Sequence, residues 1–392
     1  VSIATTTSSD DIQSRRDASK SERAVRARLQ GFPQNRIARW ALRLGFALPY
    51  VIIAIVNDAS GRVLTGAPNS ALFGGAVGLN WNTIDIGLLE RLYPPVTTIL
   101  ASVVPGNRLG ISILGAVVAG FMLQRLLEIM VQRRFAPGTI VILMLALAAN
   151  PLFAYTATEN FEGMLCLALF GIGLADTVRF VAWNDTRAGF RAGLLFMGAV
   201  LSSGAGFIYV LIAIVTAPFL RLGRFDQPGA RSANVLILAY PSIAAVTSFA
   251  FLELLFLGKP FNFVSYVIGG GQSAIEIIQT LFTTLNGALV IAPVVSAWVI
   301  ALIVRKPWAI LISTLVFLGV VVSSVYGLLP ANSAGDTFIL MVVMAIALIP
   351  TARQFPTVLL VDIVATAQIA IAWLAAFNRP IVLEWMQGLG LG

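Results

Sequence analysis

Three carboxylates lie where this chain leaves its apolar segments, and a carboxylate there suits proton transfer from a hydroxyl. Asp58 stands two residues past the first long apolar run, Asp85 lies in the polar stretch that follows, and Glu159 lies beyond the third run. An ionised carboxylate can take the proton of an attacking hydroxyl unless burial neutralises it. Arg91, Arg108 and Lys259 occupy the same class of loop. Arginine's planar fork suits bidentate contact with phosphate. Trp81, Tyr93 and Tyr266 offer flat faces for stacking. Each residue also has a plainer role. Asp58 can be a solvated helix end, and Asp85 can cap a helix that starts at Ile86. The cations can be headgroup contacts, and the aromatics an interfacial belt.

Other chemistry is excluded by what is missing. With no histidine, the chain has no imidazole base, metal ligand or proton relay. Its single cysteine, Cys166, cannot form an intrachain disulfide. The 26 Lys+Arg against 18 Asp+Glu give a net charge of +8, which reads as membrane orientation and anionic-lipid contact, not nucleic acid. Gly269-Gly270-Gly271 lacks the lysine of a phosphate loop and reads as a turn. No cofactor is read, and a divalent metal stays open.

The elements that must carry these residues are apolar helices. Fifty-eight per cent of residues are hydrophobic, 11% are charged, and the mean hydropathy is +0.88. A hydrocarbon core about 30 Å thick needs ~20 residues at about 1.5 Å each. The chain therefore reads as an all-α polytopic transmembrane bundle of about eleven spans. They run Trp40–Val56, Leu109–Val131, Thr139–Tyr155, Glu162–Ala182, a hairpin of two short spans within Ala192–Leu220, Asn234–Leu257, Leu281–Val304, Trp308–Leu329, Thr337–Pro350 and Thr357–Phe377. The hairpin rests on Ser202-Ser203-Gly204-Ala205-Gly206, a bend-forming run in mid-segment.

Residues 1–39 form a polar tail, disordered apart from an interfacial helix over Ser21–Leu29; its first apolar run comes too late for a signal peptide. Residues 40–378 are the helical domain, 57–108 its first outer loop, and 379–392 an outer tail. Arg133, Arg134, Arg187, Arg191, Arg221, Arg224, Arg231, Arg305, Lys306 and Arg353 share one side with the N-terminal tail. By the positive-inside rule that side is cytoplasmic. Within the first loop, Ser70–Leu79, Ile86–Leu92 and Val96–Val104 are apolar but too short to span, so they read as interfacial helices. Pro94-Pro95 can start the last of them.

Asp58 after the first span, Tyr93-Pro94-Pro95 before the second, Asn150-Pro151-Leu152 and Glu159 near the third, and the short hairpin together resemble the GT-C superfamily of membrane glycosyltransferases. The resemblance covers roughly residues 40–280. It implies a sugar transferred from a polyprenyl-phosphate donor to a glycan, glycolipid or protein acceptor at the outer leaflet. It also implies a bacterial-type inner membrane with the N-terminus cytoplasmic. Asp58, Asp85 and Glu159 would be the catalytic candidates, and Arg91, Arg108, Lys259, Tyr93 and Tyr266 the substrate contacts. Two features depart from the family: Ala59-Ser60 follows Asp58 where a second acid is common, and the hairpin bend lacks a cation. The absence of histidine counts against an O-antigen-ligase type.

The rival expectation is a lipid or solute carrier, or an accessory subunit of a membrane complex. It rests on Asp362 within the last span, with Gln368 nearby, and on Glu253. No internal repeat or matched pair of broken helices supports it. Glu128 and Asp176 have local arginine partners in Arg125 and Arg179.

Overall fold

The structure, a computed structural model, describes residues 31–61, 64, 66–79, 89, 92–183, 185–217, 230–268, 271, 273–330, 332–348 and 355–391. Among them all regular structure is helical. The helices are α1 (Arg36–Ala59), α2 (Pro68–Val77), α3 (Pro95–Val103), α4 (Asn107–Gln132), α5 (Pro137–Ala148), α6 (Pro151–Glu159) and α7 (Phe161–Trp183). They continue as α8 (Thr186–Ser202), α9 (Gly204–Thr216), α10 (Ala230–Leu257), α11 (Asn262–Val267) and α12 (Ala274–Thr283). Then come α13 (Leu285–Ile303), α14 (Pro307–Val325), α15 (Asp336–Leu348), α16 (Phe355–Phe377) and α17 (Pro380–Gly388). Among the described residues seven helices are long and apolar enough to cross a membrane, or eight if the bent pair α5–α6 is one span. Shorter apolar helices, α9 and α15 among them, fall below that length.

The burial pattern is that of a protein in lipid. On α1 the inward stripe is Ala47, Tyr50, Ala54 and Asn57, while Leu44, Leu48, Ile52 and Ile55 face outward. Small and polar residues go in and large apolar ones stay out, because lipid tails give leucine no reason to hide. The small inward stripe lets backbones approach. A Cβ on Gly120 of α4 would stand 2.6 Å from Arg43 O and 2.8 Å from Ala47 Cβ. Helix α7 is the most enclosed of the seven and packs against α4, α8, α9 and α15.

Sequence breaks the helices where backbone chemistry demands it. Asn150 precedes Pro151, so it is pushed to an extended conformation (φ −81°, ψ 119°), and its Oδ1 accepts from Leu152 N at 2.8 Å. The chain bends by 52° there. The segment expected to run straight from Thr139 to Tyr155 is thus two helices. Thr156, Thr158, Glu159 and Asn160, expected in an outer loop, are buried instead. Each residue of α6 is buried. The Thr156 and Thr158 hydroxyls donate to Leu152 O and Ala154 O.

The expected hairpin forms at Ser203, which is extended between α8 and α9. Phe196 and Tyr209 both lie against Phe170, with ring centroids 5.8 and 5.9 Å away. Thirteen residues of straight helix would separate those rings by roughly 20 Å. A Cβ on Gly206 would stand 2.2 Å from Ala199 O, which shows how tightly the two helices close.

At the arginine-rich end, α4, α7 and α8 are joined by ionic contacts. Arg179 reaches Glu128 at 2.7 Å and Asp176 at 3.4 Å, Arg125 reaches Glu128 at 2.9 Å, and Arg191 grips Asp176. Arg133 donates to the last-turn carbonyls of α15 at Ile346 and Ala347. Burial lowers the Arg133 guanidinium to about 10. The local pairs read from sequence are part of this larger network.

Candidate functional site

The opposite end of the bundle holds four of the eight candidate residues, Asp58, Glu159, Arg108 and Tyr93. Asp58 is exposed in the last turn of α1. Its neighbour Asn57 turns inward, and Asn57 Nδ2 donates to Glu159 Oε1 at 2.8 Å. Asp58 and Arg108 both lie within electrostatic range of Glu159. Arg108, in the first turn of α4, also donates to Ser70 Oγ of α2 at 3.4 Å. Asp58, Glu159 and Arg108, separate in sequence, thus share one neighbourhood.

Asn69 locks that neighbourhood. Its Nδ2 donates to Thr158 O at 2.8 Å and Ser112 Oγ at 3.2 Å, and its Oδ1 accepts from Phe161 N at 2.7 Å. One amide thereby pins the first loop to the junction of α6 and α7. Sequence reasoning passed over Asn69, since its partners lie up to 92 positions away.

Tyr93 holds the other end of the loop. Helix α3 begins at Pro95, as the two prolines require. The Tyr93 hydroxyl donates to Val200 O at 2.9 Å, and Thr97 Oγ1 to Ser202 O at 3.1 Å. The Tyr93 ring stacks on Phe263 at 4.9 Å and on Phe207 at 6.1 Å. Burial pushes its phenol well above the ordinary range, and nearby Glu162 and Cys166 add to the effect.

Behind Tyr93 lies a second polar group that sequence reasoning missed. Glu162 opens α7, and Asp336 opens α15. Ser203 approaches Glu162, and the Tyr209 hydroxyl approaches Asp336, neither with the geometry of a formed hydrogen bond. Arg379, before α17, lies within electrostatic range of Asp336 and Tyr155. Burial lowers its guanidinium from the ordinary value, while Asp336 and then Tyr155 oppose that. The available signal was two acids at the starts of apolar segments. A favourable helix dipole accounts for such acids locally.

Other candidates fall elsewhere. Asp85 and Arg91 lie outside the described residues, as do Trp81, the Ile86–Leu92 segment except Leu89 and Leu92, and the Ser21–Leu29 segment. Tyr266 is in α11, but its side chain is outside the described set. Lys259 is exposed between α10 and α11, with no contact to these acids among the described residues. Gly271 packs so closely on Val325 O that no side chain fits, which explains that glycine without phosphate. Glu253 accepts from Phe263 N at 2.8 Å, at the start of α11. Asp362 approaches Gly138 in the first turn of α5, where a negative charge complements the helix dipole. The expected tail after residue 379 is helix α17, docked through Val382, Trp385 and Met386.

Among the described residues, no group of three or more Asp, Glu, Cys or His side chains is arranged to hold a metal ion. No protein-family model, curated protein or solved structure matches the chain.

Proposed function

We propose that the chain is a GT-C-like membrane glycosyltransferase. It moves a sugar from a polyprenyl-phosphate donor to a glycan, glycolipid or protein acceptor at the outer leaflet of a bacterial-type inner membrane. The observation that carries this reading is the convergence of Asp58, Glu159 and Arg108 beneath a loop pinned by Asn69 and Tyr93. The family's second acid is missing from the sequence after Asp58, but Glu159 supplies one nearby in space.

In this reading α1, α4, the α5–α6 pair, α7, α8, α9, α10, α13, α14, α15 and α16 each cross the membrane, and the N-terminus is cytoplasmic. Two sets of contacts support opposite ends for α4, α7 and α15. Glu128, Asp176, Arg179 and Ile346 belong to the arginine-rich end. Asn57, Tyr93, Glu159, Ser202 and Asp336 belong to the other.

The exposed Asp58 takes the proton of the acceptor hydroxyl as its oxygen attacks the anomeric carbon. The bond from that carbon to the phosphate oxygen breaks, and the phosphate keeps the electron pair. Arg108 stabilises the departing charge. Lys259, Tyr266, Asp85 and Arg91 stay candidates on the resemblance alone. A lid over this face lets a lipid-linked donor enter sideways from the bilayer.

The second reading, a carrier or an accessory subunit, draws on Gln368. Its amide is buried without a hydrogen bond and lines a small cavity with Ser296, Pro293 and Ala345. Proteoliposomes loaded with polyprenyl-phosphate sugar labelled in the sugar separate the two. Label moved onto an acceptor supports the transferase. Donor carried intact across the bilayer, with no cleavage, overturns it.

A further inference from the structure

We propose that Arg39, Arg43 and Arg125 form a binding site for the phosphate headgroup of an anionic phospholipid, at the lipid-facing edge between α1 and α4. The site lies at the opposite end of α1 from Asp58 and does not depend on the transferase reading.

Helical spacing brings the cations together. The inward stripe of α1 is Ala47, Tyr50, Ala54 and Asn57. Carried back by the same steps of three and four, it reaches Arg43, Arg39 and Arg36. The face of α1 that packs on α4 thus turns cationic where the helix begins. Arg43 Nε donates to Gln124 Oε1 of α4 at 3.1 Å. Gln124 Nε2 donates in turn to Glu128 Oε2 at 3.1 Å and to Phe32 O at 2.8 Å. Arg125 Nη1 donates to both oxygens of Glu128 at 2.9 Å. The Arg43 guanidinium lies over Trp40 and Phe121, 5.0 and 4.5 Å from the ring centroids. Those two rings meet edge to face at 5.4 Å. Arg39 and Arg125 both lie within electrostatic range of Arg43.

Charge does not balance here. Glu128 and Asp176 are already shared by Arg125, Arg179 and Arg191. Among the described residues neither Arg39 nor Arg43 forms an ion pair with a carboxylate. Arg39 Nε is buried and has no hydrogen-bond partner. An idle guanidinium nitrogen among like charges is unfavourable, and an anion relieves both faults. Arginine's planar fork suits phosphate in particular.

The surroundings make that anion a lipid's. Ile37, Leu44 and Leu48 line the adjacent flank of α1 and are 77%, 60% and 57% exposed, and Trp40 is 44% exposed. Side chains on a helix lean toward its N-terminus, so Arg43 reaches back to the level of Trp40 while its stem stays among apolar neighbours. From the bilayer interior outward, this edge reads Leu48 and Leu44, then Trp40 with Phe121, then the guanidinium groups. That is the order of acyl chain, interfacial region and phosphate in a phospholipid. A soluble anion would use the cations and leave the apolar flank unexplained. Snorkelling alone explains the reach of Arg43; it explains neither the idle nitrogen of Arg39 nor the missing acid.

The test uses the full chain in phosphatidylcholine nanodiscs carrying rising fractions of phosphatidylglycerol. Melting temperature is followed in the discs, and native mass spectrometry counts the phosphatidylglycerol that stays bound after release. A saturating rise in melting temperature and retention of phosphatidylglycerol over phosphatidylcholine are expected. Arg39→Gln and Arg43→Gln should each weaken the binding about tenfold, the loss of one charge-assisted phosphate contact. Arg43 also holds Gln124, so Arg39→Gln decides if Arg43→Gln does not fold. Arg187→Gln removes one exposed charge from the same end of the bundle and should leave binding unchanged. Equal binding in the wild type and Arg39→Gln overturns the proposal. So does equal weakening by Arg187→Gln, which would mean diffuse charge and no site. Inorganic phosphate, titrated in discs of phosphatidylcholine alone, should give no saturable response; a response to it with none to phosphatidylglycerol overturns the lipid.

Discussion

Tyr93 shows how one side chain can tie a loop to a bundle. Its hydroxyl meets the chain near the α8–α9 turn, its ring stacks on α9 and α11, and its phenol lies close to Glu162. Burial favours the neutral phenol, so its folded value stands above its unfolded one. The sign follows: this residue costs no stability below the unfolded value, and stability falls as pH rises past about 10. Tyr93→Phe should therefore lose less melting temperature than wild type between about pH 9 and about pH 11. Equal losses would contradict the burial argument. The identity of this residue as important was legible in Tyr93-Pro94-Pro95, because prolines dictate a helix start locally. Asn69, Glu162 and Asp336 were not legible, since each acquires its meaning from partners far along the chain.

At the scale of elements, the sequence states length and polarity well and folding-back poorly. Apolar runs predicted α1, α4, α7, α10, α14 and α16 because a helix must be long enough to cross oil. The second half of α6 and its cap Asn160 were misread as a loop because Thr156, Thr158, Glu159 and Asn160 look polar. In the fold the two threonines bond backward along the helix, and Glu159 finds Asn57. The hairpin was legible because Ser203-Gly204-Ala205-Gly206 permits close approach. Gly206→Leu should destabilise by ~1–3 kcal/mol through collision with Ala199, read as a lower melting temperature. Gly45→Ala, with no neighbour within 4 Å of its new methyl, should melt no lower than wild type. A Gly206→Leu protein as stable as wild type would remove the tight turn.

Over the whole molecule, one end is tied by arginine–carboxylate contacts and the other holds acids, hydroxyls and an enclosed guanidinium. The loop charges carry the same asymmetry, and by the positive-inside rule it would place the arginine-rich end in the cytoplasm. Cysteine labelling in intact cells checks it, since Cys166 is buried and contributes no background. Ser273→Cys should react with an impermeant maleimide from outside, and Thr186→Cys only after permeabilisation; both positions are exposed. The reverse pattern would invert the topology and take Asp58 away from the outer leaflet. The most direct test of the central claim is the rate of sugar transfer by Asp58→Asn, measured with labelled polyprenyl-phosphate sugar donor in proteoliposomes. The substitution is nearly isosteric at an exposed site, so the protein should fold and melt as wild type does. Transfer should fall by ~10²–10⁴-fold, because an amide cannot take the acceptor's proton. Wild-type turnover in Asp58→Asn would contradict the account.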